Sequence, residues 1–217
     1  MKDVVIIGPA HPLRGGLATF NERLAREFIN QGYQVTIYTF SLQYPAFLFP
    51  GKTQYSEDPA PDDLKINVKI ISVNPLNWIK IGLEIRKLKP VLIVLRYWLP
   101  FMGPCLGTIA RIARRKNSTK VIAITDNIIP HEKRPGDWLF SKYFTSSCDG
   151  FITMSRAVLE DLKKFSKSRP GKYYPHPLYD NYGEAVSREQ ACTNLGLDTS
   201  ATYSLPSGDT SVTMASS

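Results

Sequence analysis

The chain has 217 residues, of which 43% are hydrophobic and 21% are charged, and its formal net charge is +8. This length suffices for one domain and the start of a second, and the composition supports a buried core. The three cysteines, Cys105, Cys148 and Cys192, lie far apart and form no CxxC pair, which argues against a disulfide framework and a zinc site and favours a cytoplasmic protein.

Short apolar runs rich in Val and Ile recur along the chain and predict strands over 3–8, 34–40, 66–72, 91–95, 120–125 and 150–154. Their hydrophobicity is continuous, which indicates strands covered on both faces, as in a parallel sheet. Helical patterns alternate with them over 17–31, 76–88, 105–116 and 155–165, with Ser155 as the N-cap of the last. The sequence therefore predicts an α/β protein with a doubly wound, mostly parallel sheet.

The end of the chain differs from the rest. We expect the doubly wound domain to occupy residues 1–186, and a new helix over 187–198 to begin a second domain. The last 20 residues hold ten Ser or Thr and no Lys or Arg, so residues 199–217 are predicted to be a disordered tail. An alternative interpretation is that this tail is the out-of-frame end of a truncated gene.

Residues 90–110 are apolar enough to be mistaken for a membrane span, since they hold one charge in 21 residues. Arg96 lies in their middle, and Pro100 and Pro104 would interrupt a helix. This stretch is therefore predicted to be a strand, a loop and the start of a helix.

A glycine pair follows the first predicted strand. Arg14, Gly15 and Gly16 precede a helix whose N-terminus should lie at the carboxyl edge of the sheet, where backbone N–H groups can hold a phosphate or diphosphate. The alternative is a tight loop that needs a positive φ. Ala10 and Leu13 stand where GxGxxG requires glycines, and Leu13 also breaks GxxxxGK[ST], so a dinucleotide fingerprint and a P-loop are both excluded.

A polar loop, "TDNIIPHEKRPGD" at 125–137, follows the fifth predicted strand at the same edge. Asp126, Asn127, His131 and Glu132 offer the groups that read sugar hydroxyls, and Asp126 or His131 can accept a hydroxyl proton. The alternative is a loop whose side chains cap nearby backbone. "HEKR" lacks the HExxH spacing, so no metal site is expected.

An aromatic loop, "LRYWLPFMGP" at 95–104, follows the fourth predicted strand. Arg96 and Trp98 are candidates for contact with an acceptor, through stacking on a sugar face or contact with a lipid headgroup. Packing of the aromatic residues onto the core is the alternative. His176, within "YPHPLYDNYG", is interpreted as a structural residue.

Positive charge is concentrated in residues 76–120, which hold ten Lys or Arg and a single acid, Glu84. A basic flank of this kind suits an anionic partner such as a phospholipid surface, a phosphorylated acceptor or a nucleic acid. The alternative is a solvated face of helices.

Several stretches, in this order, carry a family resemblance: the Gly-Gly loop with "FNERLAREFINQGYQVTIYT", "RYWLPFMGPCLGTIARIAR", "TDNIIPHEKRPGD", "FITMSRAVLEDL" and "HPLYDNYG". Together they resemble the N-terminal, Rossmann-like half of a retaining GT-B glycosyltransferase. More narrowly, they are similar to the branch of family 4 that is found in bacterial surface-polysaccharide pathways. The resemblance implies a nucleotide-sugar co-substrate, no metal or other cofactor, and an active site between two domains. It places Gly15 and Gly16 against the donor diphosphate and the loop from Asp126 to Glu132 in the acceptor cleft.

The sequence also departs from the family. Many members have His where this chain has Asp126, and the basic loop and the acidic pair of the second domain are missing. We therefore expect this chain alone to be catalytically inert, because no second-domain cation stabilises the leaving diphosphate.

The basic flank matches a cytoplasmic protein peripheral to the inner membrane face, acting on a saccharide or lipid-linked acceptor. A non-catalytic membrane- or saccharide-binding module is the alternative. Nucleic-acid binding has no module pattern to support it.

Overall fold

A computed structural model describes residues 2–45, 55–116, 118–130, 134–177 and 186–201 of the chain. Within these ranges no helix combines the length and the apolar character that crossing a membrane requires. The apolar stretch at 90–110 forms a strand, a short turn and a helix start, as predicted.

The strands are β1 (Asp3–Ile7), β2 (Gln34–Leu42), β3 (Ile66–Ile71), β4 (Leu92–Tyr97), β5 (Lys120–Thr125), β6 (Gly150–Thr153) and β7 (Gly171–Tyr173). The helices are α1 (Gly16–Asn30), α2 (Pro75–Leu88), α3 (Gly103–Ala113), α4 (Asp137–Thr145), α5 (Arg156–Lys163) and α6 (Arg188–Leu195). Every strand predicted from an apolar run is present.

The strands form one sheet in the order β3-β2-β1-β4-β5-β6-β7, and within the described residues every pair of neighbours is parallel. The α/β, doubly wound prediction is thus confirmed. From β1 the chain adds strands first on one side and then, from β4 onward, on the other. The strand order reverses between β1 and β4, and in such sheets a ligand cleft lies outside the carboxyl ends of the strands at this point.

The two faces of the sheet have separate cores, because neighbouring residues of a strand point to opposite faces. Val5 and Ile7 of β1 belong to a large cluster that α3 and α4 cover with Leu106 and Phe144. Val4 and Ile6 belong to a smaller cluster, against which Phe20, Leu24 and Phe28 of α1 pack. Continuous hydrophobicity along β1 follows from burial on both faces.

Two elements escaped sequence prediction. β7 lies where no strand is predicted, and its sequence, Gly-Lys-Tyr, has no apolar run because it is a short edge strand. α4 follows Gly136, whose φ is 94°, and mixes Trp, Leu and Phe with Asp, Ser and Lys, so it shows no clear helical stripe.

Helix α1 approaches the sheet along a line of small residues beside its apolar stripe. Phe20, Leu24 and Phe28 of that stripe pack against the core, but the buried residues of the helix are Ala18, Asn21 and Ala25. Small side chains let the helix axis approach the sheet closely, and the larger residues then pack beside this line. Ile29, at the end of the stripe, is exposed.

The Cα positions divide the chain into two compact units, residues 1–176 and 177–217. In the second unit, α6 begins where the sequence predicts a new helix: the Ser187 side chain accepts a bond from Gln190 N at 3.2 Å, and Gly196 ends the helix in the left-handed region. Residues 202–217 lie outside the described part, so the disordered or out-of-frame tail and the domain bounds 1–186, 187–198 and 199–217 stay predictions.

Candidate functional site

Arg96 and Asp126 form a two-point ion pair at the carboxyl edge of the sheet. Arg96 stands near the end of β4, beside Ile124 of β5, and Asp126 directly follows β5. Arg96 Nε and Nη2 each donate to one carboxylate oxygen of Asp126, both at 2.6 Å. The Arg96 side chain is only 2% exposed, whereas that of Asp126 is 25% exposed. The pair therefore presents its carboxylate, not its guanidinium, to solvent.

The space for Arg96 depends on Gly8, which directly follows β1. A Cβ on Gly8 would lie 2.8 Å from Arg96 Cβ and 2.7 Å from Asn21 Nδ2. The Asn21 amide donates instead to Pro9 O at 2.8 Å, which ties α1 to the loop after β1. Gly8 thus brings α1, the β1 loop and the ion pair together at the point where the strand order reverses.

The Phe20 ring of α1 is close to two other side chains of the site, Arg96 and His176. Its ring centroid is 4.2 Å from Arg96 Cζ, a cation–π distance, and 5.6 Å from the ring of His176. His176 follows β7 and so reaches the same edge from the far side of the sheet. The interpretation of His176 as a structural residue stays a prediction, and its ring contact with Phe20 could not be seen in the sequence.

Burial raises the pKa of Asp126 above its ordinary value, although the charge and hydrogen bonds of Arg96 and the charge of His176 act in the opposite direction. A carboxylate with a raised pKa is a better acceptor for a hydroxyl proton. Arg96 Nη1 and Asn21 Oδ1 are buried and have no hydrogen-bond partner among the described residues. The cluster therefore contains one buried donor and one buried acceptor whose hydrogen-bonding capacity is unused.

The glycine loop lies at the same edge. Gly15 has φ 106°, a torsion that L side chains rarely adopt, while a Cβ there would meet nothing within 4 Å. Glycine is thus needed at position 15 because of its positive φ, as the alternative of a tight loop predicted. No side chain caps α1, and Arg14, Gly15 and Gly16 are exposed. Uncapped backbone N–H groups at this end can receive an anion.

The loop that leads to this helix end is fixed by side chains. Ala10 N donates to Thr39 Oγ1 at 3.0 Å, and His11 N donates to Glu22 Oε1 at 2.7 Å. Two backbone donors of the loop, those of Ala10 and His11, are thereby satisfied.

Trp98 packs onto the core, as the alternative for the aromatic loop proposed. Its ring meets Phe40 edge-on at 6.0 Å, and Nε1 donates to Tyr44 Oη at 2.5 Å. Asn127 is half-buried beside Asp126. His131 and Glu132 lie outside the described residues, so their predicted roles stay predictions.

Among the described residues, no group of three or more His, Cys, Asp or Glu is placed to hold a metal ion. The expected metal independence remains a prediction. Sequence reasoning had found Arg96, Asp126 and the glycine loop but missed Gly8 and Asn21. Asn21 carried a usable signal, since it is a polar residue at the centre of the helix face that the small residues Ala18 and Ala25 mark as buried.

Solved structures share this fold. A UDP-GlcNAc 2-epimerase from Methanocaldococcus jannaschii matches with a TM-score of 0.50 and 12% identity, over 78% of this chain and 44% of its own. An alpha-glucosyltransferase, solved with UDP and a 13-mer DNA containing an HMU base, matches with a TM-score of 0.50 and 14% identity, over 80% of this chain and 42% of its own. This chain therefore spans less than half the length of either protein.

No curated protein sequence matches this chain. The sequence profile of "Glycosyltransferase Family 4" matches residues 14–174, a range that includes the glycine loop and both members of the Arg96–Asp126 pair. Because this match takes in most of the chain and the sheet has the strand order described above, the chain belongs to glycosyltransferase family 4 and has a GT-B-like Rossmann fold.

Proposed function

We propose that the chain forms the acceptor-side domain of a retaining glycosyltransferase, which transfers a sugar from a nucleotide-sugar to a saccharide or lipid-linked acceptor in bacterial surface-polysaccharide or glycolipid synthesis. The observation that carries this proposal is the convergence of the Arg96–Asp126 pair and the uncapped end of α1 at one sheet edge, in a family 4 chain. The retaining mechanism and the role in surface-polysaccharide or glycolipid synthesis are proposed from the family resemblance alone. Where transfer is observed with the complete two-domain enzyme, comparing the anomeric configuration of the product with that of the donor would test retention.

The residues divide into donor and acceptor roles. Arg14, Gly15 and Gly16, with the first N–H groups of α1, take the donor diphosphate, because a helix N-terminus and a cation both stabilise negative charge. Asp126 accepts or polarises the acceptor hydroxyl, and Arg96 holds its carboxylate in one orientation through two bonds. Asn127, His131 and Glu132 are proposed to line the acceptor cleft, and Trp98 is proposed to reach it with the exposed part of its core-packed ring. No metal is required.

Titration of the isotope-labelled chain with methyl glycosides of glucose, galactose and N-acetylglucosamine, followed by NMR, tests the acceptor site. We expect shifts of the Arg96 Nε–H signal and of the backbone around residues 126–127, for at least one glycoside. Asp126→Asn should abolish these shifts, because an amide cannot accept bonds at both positions.

Asp63→Asn is the matched control. Asp63 also makes a two-point pair with an arginine, Arg26, at 2.6 and 3.0 Å, but both partners are exposed. This variant should leave the glycoside shifts unchanged. Shifts that survive Asp126→Asn, or that cluster away from the carboxyl edge, would contradict the acceptor role.

The basic flank at residues 76–120 supports the proposal that the chain works at a membrane surface on a lipid-linked acceptor. A second candidate function, a non-catalytic module that binds a membrane or a saccharide, shares these surfaces. It differs in predicting no coupling between diphosphate binding at Gly15 and glycoside binding at Asp126.

A further inference from the structure

Helix α2 packs against its neighbours in the domain through one apolar face. Ile81 and Ile85 are fully buried, and a Cβ on Gly82 would lie 2.7 Å from Ile112 Cβ, so α2 and the end of α3 are in close contact. This face satisfies the ordinary requirement of an amphipathic helix.

The opposite face of α2 is also apolar. Leu76 is 78% exposed, Ile79 is 43% exposed and Leu83 is 48% exposed, and Val73 extends the patch just before the helix. Residues three, four and seven apart share one side of a helix, so Leu76, Ile79 and Leu83 form a continuous stripe. We call Val73, Leu76, Ile79 and Leu83 the outer stripe. Exposing these leucine side chains to water is unfavourable in free energy.

Cations interleave with the outer stripe. Lys80 and Lys87 each follow a stripe leucine by four residues, and neither forms a salt bridge among the described residues. The acid of this helix, Glu84, is hydrogen-bonded away from the stripe, because it accepts from Lys69 Nζ at 2.8 Å and Tyr38 Oη at 2.9 Å, although the charge of Lys80 also acts on it. Arg86 is also engaged, since it donates to Ile112 O and Arg114 O at the end of α3. The outer face is therefore apolar and cationic, without an acid.

We infer that the outer stripe with Lys80 and Lys87 is a docking surface for an anionic lipid bilayer. Leucine side chains would enter the boundary between headgroups and acyl chains, while the flexible lysines reach back to lipid phosphates. The charge pattern favours a bilayer, because both cations lie within the apolar face, where a dry protein interface would leave them unpaired. This inference rests on the proposed function and adds to it the surface that contacts the membrane. It can be wrong while the proposal of glycosyl transfer remains correct.

Co-sedimentation of the full chain with vesicles tests the inference. Binding is expected to phosphatidylcholine vesicles that contain phosphatidylglycerol, and to be much weaker with phosphatidylcholine alone. Lys80→Gln with Lys87→Gln should weaken partitioning by about fivefold for each lysine. Lys142→Gln with Lys172→Gln removes two exposed lysines elsewhere and should have little effect.

A second pair of variants tests insertion of the apolar residues. Leu76→Gln with Leu83→Gln should weaken partitioning by about tenfold or more, because two exposed leucines no longer enter the bilayer. Leu195→Gln, at another highly exposed leucine in the second unit, is the matched control and should bind like the wild type. Thermal unfolding checks that each variant is folded.

An environment-sensitive label on Leu83→Cys should shift to the blue when phosphatidylglycerol vesicles are added. Binding that is abolished by salt, with no shift of the label and no effect of the leucine variants, would overturn the insertion model in favour of a purely electrostatic contact. Self-association that Leu83→Gln abolishes, without vesicle binding, would assign the outer stripe to a second copy of the chain.

Discussion

Arg96 donates two hydrogen bonds of 2.6 Å to the carboxylate of Asp126 and joins the end of β4 to the loop after β5. Because Arg96 is almost fully buried, its removal should leave a partly buried carboxylate without a counter-charge. We expect Arg96→Gln to lower the free energy of unfolding by about 3 kcal/mol or more.

Urea unfolding measures this loss, and a double-mutant cycle with Asp126→Asn isolates the pair. The double variant should recover part of the single-variant loss, since neither charge then stays unpaired. The exposed pair Arg26–Asp63 serves as control, and its variants should lose about 1 kcal/mol or less. Strictly additive losses at Arg96 and Asp126 would mean that the ion pair contributes no coupling energy.

Gly15 and Gly32 are a matched pair of glycines. Both have positive φ, 106° and 82°, and a Cβ at either position would meet nothing within 4 Å. Gly15→Ala and Gly32→Ala should therefore each cost about 1 kcal/mol of stability through torsional strain alone, read from urea unfolding. A much larger loss at Gly15 would show that the loop has packing constraints beyond torsion.

Glu84 should make stability depend on pH. Although burial alone would raise its pKa, the hydrogen bonds from Lys69 and Tyr38 lower the pKa below the ordinary value of 4.5. A carboxyl group with a lowered folded pKa stabilises the fold above its unfolded pKa, and this contribution is lost as pH falls through the folded value.

Glu84→Gln should therefore destabilise the chain at neutral pH, by about 1 kcal/mol, and the difference from wild type should shrink below pH 4.5. Thermal unfolding measured across this range checks the sign. A difference that grows as pH falls would contradict it.

The buried thiols should resist modification. Burial raises the pKa of Cys148 to about 12, and it raises the pKa of Cys105 as well. Since the thiolate is the reactive form, neither residue should react with a disulfide reagent in the native chain. Both should react once urea unfolds the protein. Rapid labelling under native conditions would show that α3 or α4 opens readily.

The strands could be predicted from sequence because burial on both faces requires continuous Val and Ile, as in β1 and β5. β7 could not be predicted, since an edge strand of three residues needs no apolar run. The side of α1 that faces the core could be predicted from its large apolar residues, but its line of closest approach to the sheet, through Ala18, Asn21 and Ala25, could not.

For the site, the sequence shows which side chains could bind a ligand or a proton, but it does not show which of them are in contact in the fold. Arg96 and Asp126 meet because β4 and β5 are neighbours in a register that places Arg96 beside Ile124. His176 reaches Phe20 only because β7 delivers it to the same edge. These relations arise from strand order, which is a property of the whole sheet and not of any one segment.

NMR titration of the isotope-labelled chain with UDP tests most directly whether the carboxyl edge between β1 and β4 is a nucleotide-sugar site. We predict shifts concentrated at the amides of Gly15, Gly16 and Leu17, weakened by Gly15→Ala and unaffected by Gly32→Ala. Absence of shifts at these amides at millimolar UDP, or shifts of equal size in both variants, would contradict the account.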